Sequence, residues 1–81
     1  MHNKKMLKDL RDEIDALDDR IMEILNRRAA LVIEVGRLKS AKKGEFHVPS
    51  REREIYDRLT ANNRGPFPNE ALRSVFREII S

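Results

Sequence analysis

The sequence predicts an all-α chain of three helices, the first far longer than the other two. Apolar residues recur at spacings of three and four from Leu7 to Leu38, which holds them on one face of a helix with a period near 3.5. Charged residues make up 38% of the chain and aromatics only 5%, a balance typical of bundles and coiled coils. Turn-forming residues then gather in two clusters, at 42–45 and 62–68, and divide what remains into two shorter helical segments.

The first helix is expected from about Lys5 to about Ser40. Its seam reads Leu7, Leu10, Ile14, Leu17, Ile21, Ile24, Arg28, Leu31, Val35 and Leu38, so one arginine interrupts an otherwise apolar row. Only Gly36 departs from helix-forming composition, at a cost of about 1 kcal/mol relative to alanine. At 1.5 Å per residue such a helix is on the order of 50 Å long. A compact globule of this chain length has a radius of gyration of about 12 Å. The helix therefore outruns what its own chain can cover, and a dimer is the expected state. Beside the seam, Ala29, Val32 or Ile33, Gly36 and Ser40 form a strip of smaller residues that admits either another helix or a ligand.

Lys42-Lys43-Gly44-Glu45 reads as a turn hinged on Gly44. A second helix starts near Pro49, since proline is tolerated in a first turn, and runs to about Ala61, burying Ile55, Leu59 and Tyr56. Asn62 to Pro68 is a loop by composition. Asn69 is placed to cap a third helix with Leu72, Val75, Phe76, Ile79 and Ile80 as its apolar positions. That pattern continues to Ser81 without a Gly or Asn stop signal, so a longer native polypeptide is expected.

With 81 residues there is room for one domain, spanning 1–81. A core of this size rarely supplies more than about 3–5 kcal/mol without disulfides, metal or oligomerisation. There is no cysteine, and His2 and His47 are too isolated to read as a metal pair, so association is the support that remains and no metal or cofactor is expected. The net charge is +3 and the pI about 9.6, which favours small anionic partners. Acidic residues are interleaved with the basic ones, which argues against nucleic acid. No apolar run approaches the roughly 18 residues of a membrane span, and the first residues lack the apolar segment of a secretion signal. A cytoplasmic location is the expectation.

Arg28 is the most informative position. A desolvated, unpaired guanidinium in a seam costs several kcal/mol, so it must reach water, meet a carboxylate or hold an anionic ligand. Lys39 lies eleven residues on, about three turns, and so on nearly the same face. Arg11 is seventeen residues before Arg28, roughly 25 Å along a straight helix and rotated about 100°. Those two cannot grip one small ligand from a single helix, whereas an antiparallel partner could bring its own Arg11 to this Arg28. Arg51 and Glu52 open the second helix. Together these groups suit a small polyanion and include no evident nucleophile. On residue types alone, each also has a plain structural explanation: register for Arg28, the helix dipole for Lys39, and a solvated face for Arg51 and Glu52.

A family resemblance weighs between those readings. Leu10-Arg11-Asp12-Glu13-Ile14-Asp15-Ala16-Leu17-Asp18 resembles the opening of the all-helical chorismate mutases. So do Arg27-Arg28, Glu34-Val35-Gly36-Arg37-Leu38-Lys39 and Ser50-Arg51-Glu52-Arg53-Glu54, and Phe76 to Ser81 is similar to the start of that family's last helix. The pieces follow in order and spacing over nearly the whole chain. The style is similar to the mutase module joined to prephenate dehydratase in bifunctional enzymes of phenylalanine synthesis, which implies such a fused domain in the native chain.

The resemblance implies an intertwined dimer of three-helix chains that rearranges chorismate to prephenate without a cofactor. It implies that Arg28 and Arg11 of the partner subunit grip carboxylates and that Arg51 adds to the positive field. Lys39 would reach a carboxylate and the ether oxygen, and Glu52 would accept a hydrogen bond from the ring hydroxyl. The chain departs from the family at Val48, where an acidic residue is common. The family's last helix also continues beyond the position of Ser81, where it supplies a serine and a second ether-oxygen contact, so weakened activity is expected of the 81 residues alone. Two other readings stand beside this one: a non-catalytic helical dimerisation module, and an isochorismate-pyruvate lyase-like pericyclic enzyme.

Overall fold

The computed structural model describes residues 6–41 and 49–81. The expected turn at 42–45, His47, Val48 and the start of the first helix at Lys5 lie outside the described residues, as do the side chains of Ser40, Ala41 and Pro49. Among the described residues three α-helices make up the regular structure: α1 (Leu7–Ala41), α2 (Pro49–Asn62) and α3 (Asn69–Ile80). No helix among the described residues is long and apolar enough to cross a membrane. The chain divides into two units, Met1–Leu38 and Lys39–Ser81, and each is taken by itself.

The first unit holds nearly all of α1. Met6 caps the helix: its carbonyl accepts the first helical bond from the Leu10 N–H (3.1 Å), and its own N–H donates to Asp9 Oδ2 (3.2 Å). A carboxylate in the first turn also complements the positive end of the helix dipole. Ion pairs from Lys8 to Asp12 and from Arg37 to Glu34, both 2.8 Å, run along the surface; exposed pairs of this kind contribute little to stability. The apolar seam is uncovered in the single chain, with Ile14, Ile21, Ile24 and Leu31 between 55% and 66% exposed. A Cβ placed on Gly36 would meet nothing within 4 Å.

The second unit packs α2 against α3. Among the described residues Ile55 is the one buried hydrophobic residue, 4% exposed. Tyr56, Leu59, Leu72, Phe76, Ile79 and Ile80 are half-buried around this face, and Val75 is exposed. With so few groups excluding water, Ile55 bears much of the packing. Ile55→Ala is expected to cost about 2–5 kcal/mol, read as a lowered midpoint in thermal or urea unfolding. A loss below about 0.5 kcal/mol would mean that α2 and α3 do not depend on this contact.

The loop between them is organised by one side chain. Asn63 Oδ1 accepts from the Gly65 N–H (3.0 Å), while its Nδ2 donates to the Phe67 carbonyl (2.8 Å) and to Asn69 Oδ1 (2.7 Å). Gly65 has φ +71° and is followed by a cis peptide to Pro66; that left-handed conformation is open to glycine without the Cβ penalty. Asn69 does not cap α3 as the sequence suggests. Pro68 is the cap residue, in extended conformation, and its carbonyl accepts from the Leu72 N–H (2.9 Å). Asn69 is instead the first helical residue, and its carboxamide is turned to Asn63.

Candidate active site

On α1, each cation has a distinct setting. Arg11 is exposed. Arg28 is half-buried, and between Met6 and Leu38 it is the one residue that is not exposed. A long side chain can cover its aliphatic stem against its own helix while the guanidinium stays in reach of a partner. Among the described residues neither Arg11 nor Arg28 has an ion pair. Lys39 sits in the last turn of α1 and is half-buried. The helix keeps Arg11 about 25 Å from Arg28. One copy of α1 cannot therefore present both Arg11 and Arg28 to one small molecule.

The first turn of α2 supplies Arg51 and Glu52. Arg51 is exposed and lies 3.4 Å from Glu54 Oε1, a loose surface pair that an anionic ligand could displace at little cost. Glu52 is half-buried and lines a cavity of about 450 Å³ together with Arg53, Tyr56 and Asp57 of α2 and Arg73 and Arg77 of α3. The structure thus parts two neighbours: Glu52 faces this cavity and Arg51 does not line it. Sequence reasoning missed Arg53, Asp57, Arg73 and Arg77. The signal was present in their i, i+4 spacing on two facing helices, which places each pair on one side. Among the described residues no three His, Cys, Asp or Glu side chains converge as metal ligands would.

The described chain is all-helical, and Arg28, Lys39, Arg51 and Glu52 are residue types that suit a small polyanion. Comparison with known proteins makes this specific. Residues 10–81 match the family model "Chorismate mutase type II". A bifunctional chorismate mutase/prephenate dehydratase of Aquifex aeolicus (strain VF5) is 47% identical over 79 residues, covering 93% of this chain and 22% of the relative. One of the same description from Stutzerimonas stutzeri is 37% identical over 86 residues, covering 100% and 24%. The chain thus spans about a quarter of the length of the curated relatives it matches. The solved structure of chorismate mutase (Form I) from Thermus thermophilus superposes with a TM-score of 0.88 at 39% identity, covering 94% of this chain and 95% of that one.

The chain belongs to the chorismate mutase type II family. That membership favours the mutase over a dimerisation module without catalysis and over a lyase.

Proposed function

We propose that residues 1–81 act as a chorismate mutase domain, rearranging chorismate to prephenate in aromatic amino acid biosynthesis, in the cytoplasm. In the native chain the domain would be joined to a prephenate dehydratase. The observation that carries this reading is Arg28, a half-buried arginine without an ion pair among the described residues, in a chain whose family rearranges a dicarboxylate. A structural arginine in a seam is ordinarily matched by a carboxylate; one kept for a ligand is not.

The reaction is a unimolecular [3,3] shift and needs no nucleophile, proton transfer or cofactor. The protein must hold the substrate in a compact, chair-like geometry and stabilise the negative charge that grows on the ether oxygen as its C–O bond breaks. Arginine forks suit the two carboxylates because they offer planar, paired hydrogen bonds. Arg28 and Arg11 of the partner subunit would take that role, with Arg51 strengthening the field. Lys39 would meet a carboxylate and the ether oxygen, and Glu52 the ring hydroxyl.

The working unit in this reading is an intertwined homodimer with two composite sites. Two features support it: the exposed apolar seam of α1, and the spacing of Arg11 and Arg28, which one helix cannot close on one ligand. Loss of chorismate absorbance, with the product identified and protein concentration varied, tests both halves. Conversion to prephenate with a specific activity that falls on dilution is the expected result. Conversion to a different product would sink the mutase reading, and a specific activity independent of dilution down to nanomolar protein would sink the shared site.

A further inference from the structure

We propose that Glu13 pairs with the partner's Arg27 across the α1 seam, twice in the dimer, and that the two are positioning residues. They hold the register in which the partner's Arg11 stands beside Arg28. This pairing rests on the mutase homodimer proposed above. Glu13 and Arg27 are both exposed in the single chain, and among the described residues Arg27 has no ion pair. On one helix they are about 21 Å apart, too far to act on each other within a chain.

Charge along α1 is divided. From Lys8 to Glu23 seven acidic residues stand against three basic ones, and from Arg27 to Leu38 three basic residues stand against one acidic. Parallel copies would lay the acidic half on itself. Antiparallel copies lay it on the basic half, so charge selects that sense.

Apolar matching does not fix the register, because a slide of seven residues returns seam residues to seam positions. Glu13, Arg20, Arg27 and Glu34 lie along one flank of the seam, and in an antiparallel pair this flank faces its own copy. In the fullest overlap Leu7 lies against the partner's Leu38. Glu13 then faces the partner's Glu34 and Arg20 the partner's Arg27, like charges in every case. Arg28 is also enclosed, with Leu31, Val35 and Leu38 all paired beyond it, which is costly for an unpaired guanidinium. A slide of seven residues sets Arg28 against the partner's Leu10, one residue from the partner's Arg11. Only Leu31 is then paired beyond Arg28, and Glu13 faces the partner's Arg27. Arg20 and Asp18 meet their own copies at the two-fold axis, so it is the Glu13–Arg27 pairs that favour this register on the flanks. A further slide would leave Leu31, 66% exposed in the single chain, without cover. It would also carry Arg28 past the start of the partner's α1.

The test is charge exchange. Glu13→Lys and Arg27→Glu each bring like charges together twice per dimer. Each is expected to weaken dimerisation about tenfold or more, read by sedimentation, with chorismate turnover at low protein concentration falling in step. The double variant restores opposite charges and should recover both. Mixing the two single variants should recover them too, because in a mixed dimer the altered residues meet each other and the native ones do likewise. Unchanged dimerisation in both single variants would overturn the pairing, as would failure of both the double variant and the mixture to recover it. Tighter dimerisation in Glu13→Lys would overturn it in favour of the fullest overlap, where the partner's Glu34 lies opposite. Recovery with Arg20→Glu in place of Arg27→Glu would overturn it in favour of the shorter overlap. A dimer that recovers without turnover would overturn the positioning role. A parent that dimerises without converting chorismate would sink the mutase reading and that role with it, while sedimentation would still judge the ion pair.

Discussion

Arg28→Leu is expected to lower turnover of chorismate by at least about 10²–10³, the usual effect of deleting one transition-state donor, while making the protein harder to unfold. The two effects have separate origins. Turnover falls because a carboxylate of the substrate loses its paired hydrogen bonds and its orientation. Stability rises because leucine completes the row from Ile24 to Leu31 and removes a charge from it; burying a leucine side chain contributes about 1.5–3 kcal/mol. Stopped-flow or steady-state kinetics and a urea unfolding curve on the same sample suffice. A stabilised variant with undiminished turnover would remove Arg28 from the site and leave an adaptor-like helix as the better account.

Ile21→Asp is expected to abolish both association and turnover at micromolar protein. Ile21 lies mid-seam and is 55% exposed in the single chain. If a second copy covers it, the substitution places an unpaired carboxylate in an apolar contact, at several kcal/mol per copy. A two-fold arrangement counts that cost twice. Sedimentation velocity should find a monomer for the variant and a dimer for the parent, and the loss of activity should track the loss of mass. A monomeric variant that still turned over chorismate would show the site to be complete within one chain, against the role given to Arg11 of the partner subunit.

How much of this was legible in the sequence depends on the kind of signal. The helices were, because periodicity is a property of many residues at once: α1 is expected from about Lys5 and begins at Leu7, and α2 ends at Asn62, one residue past the expected Ala61. The start of α3 is misread at the level of a single residue. An asparagine before an apolar run is a good cap in isolation, but the carboxamide of Asn69 is taken up by Asn63, six residues away across a loop that no local pattern describes. The candidate site was legible where a residue broke a rule, as Arg28 breaks the seam. Lys39 and Arg11 were singled out by their spacing from Arg28, but the roles of all the members came from resemblance to a family. Arg73 and Arg77 are neighbours on α3 by their spacing alone, but only the packing of α2 on α3 brings Arg53 to the same lining.

The Asn63 clasp has a consequence for how the chain reaches its final state. Everything that holds α2 to α3 lies within about thirty residues of sequence, so this hairpin has low contact order and should form quickly, at a rate independent of concentration. The seam of α1 has no such local reward, and if its cover comes from a second copy, that step is bimolecular. Refolding should then resolve into a fast phase in Tyr56 fluorescence that ignores protein concentration, and a slower gain of helix that scales with it.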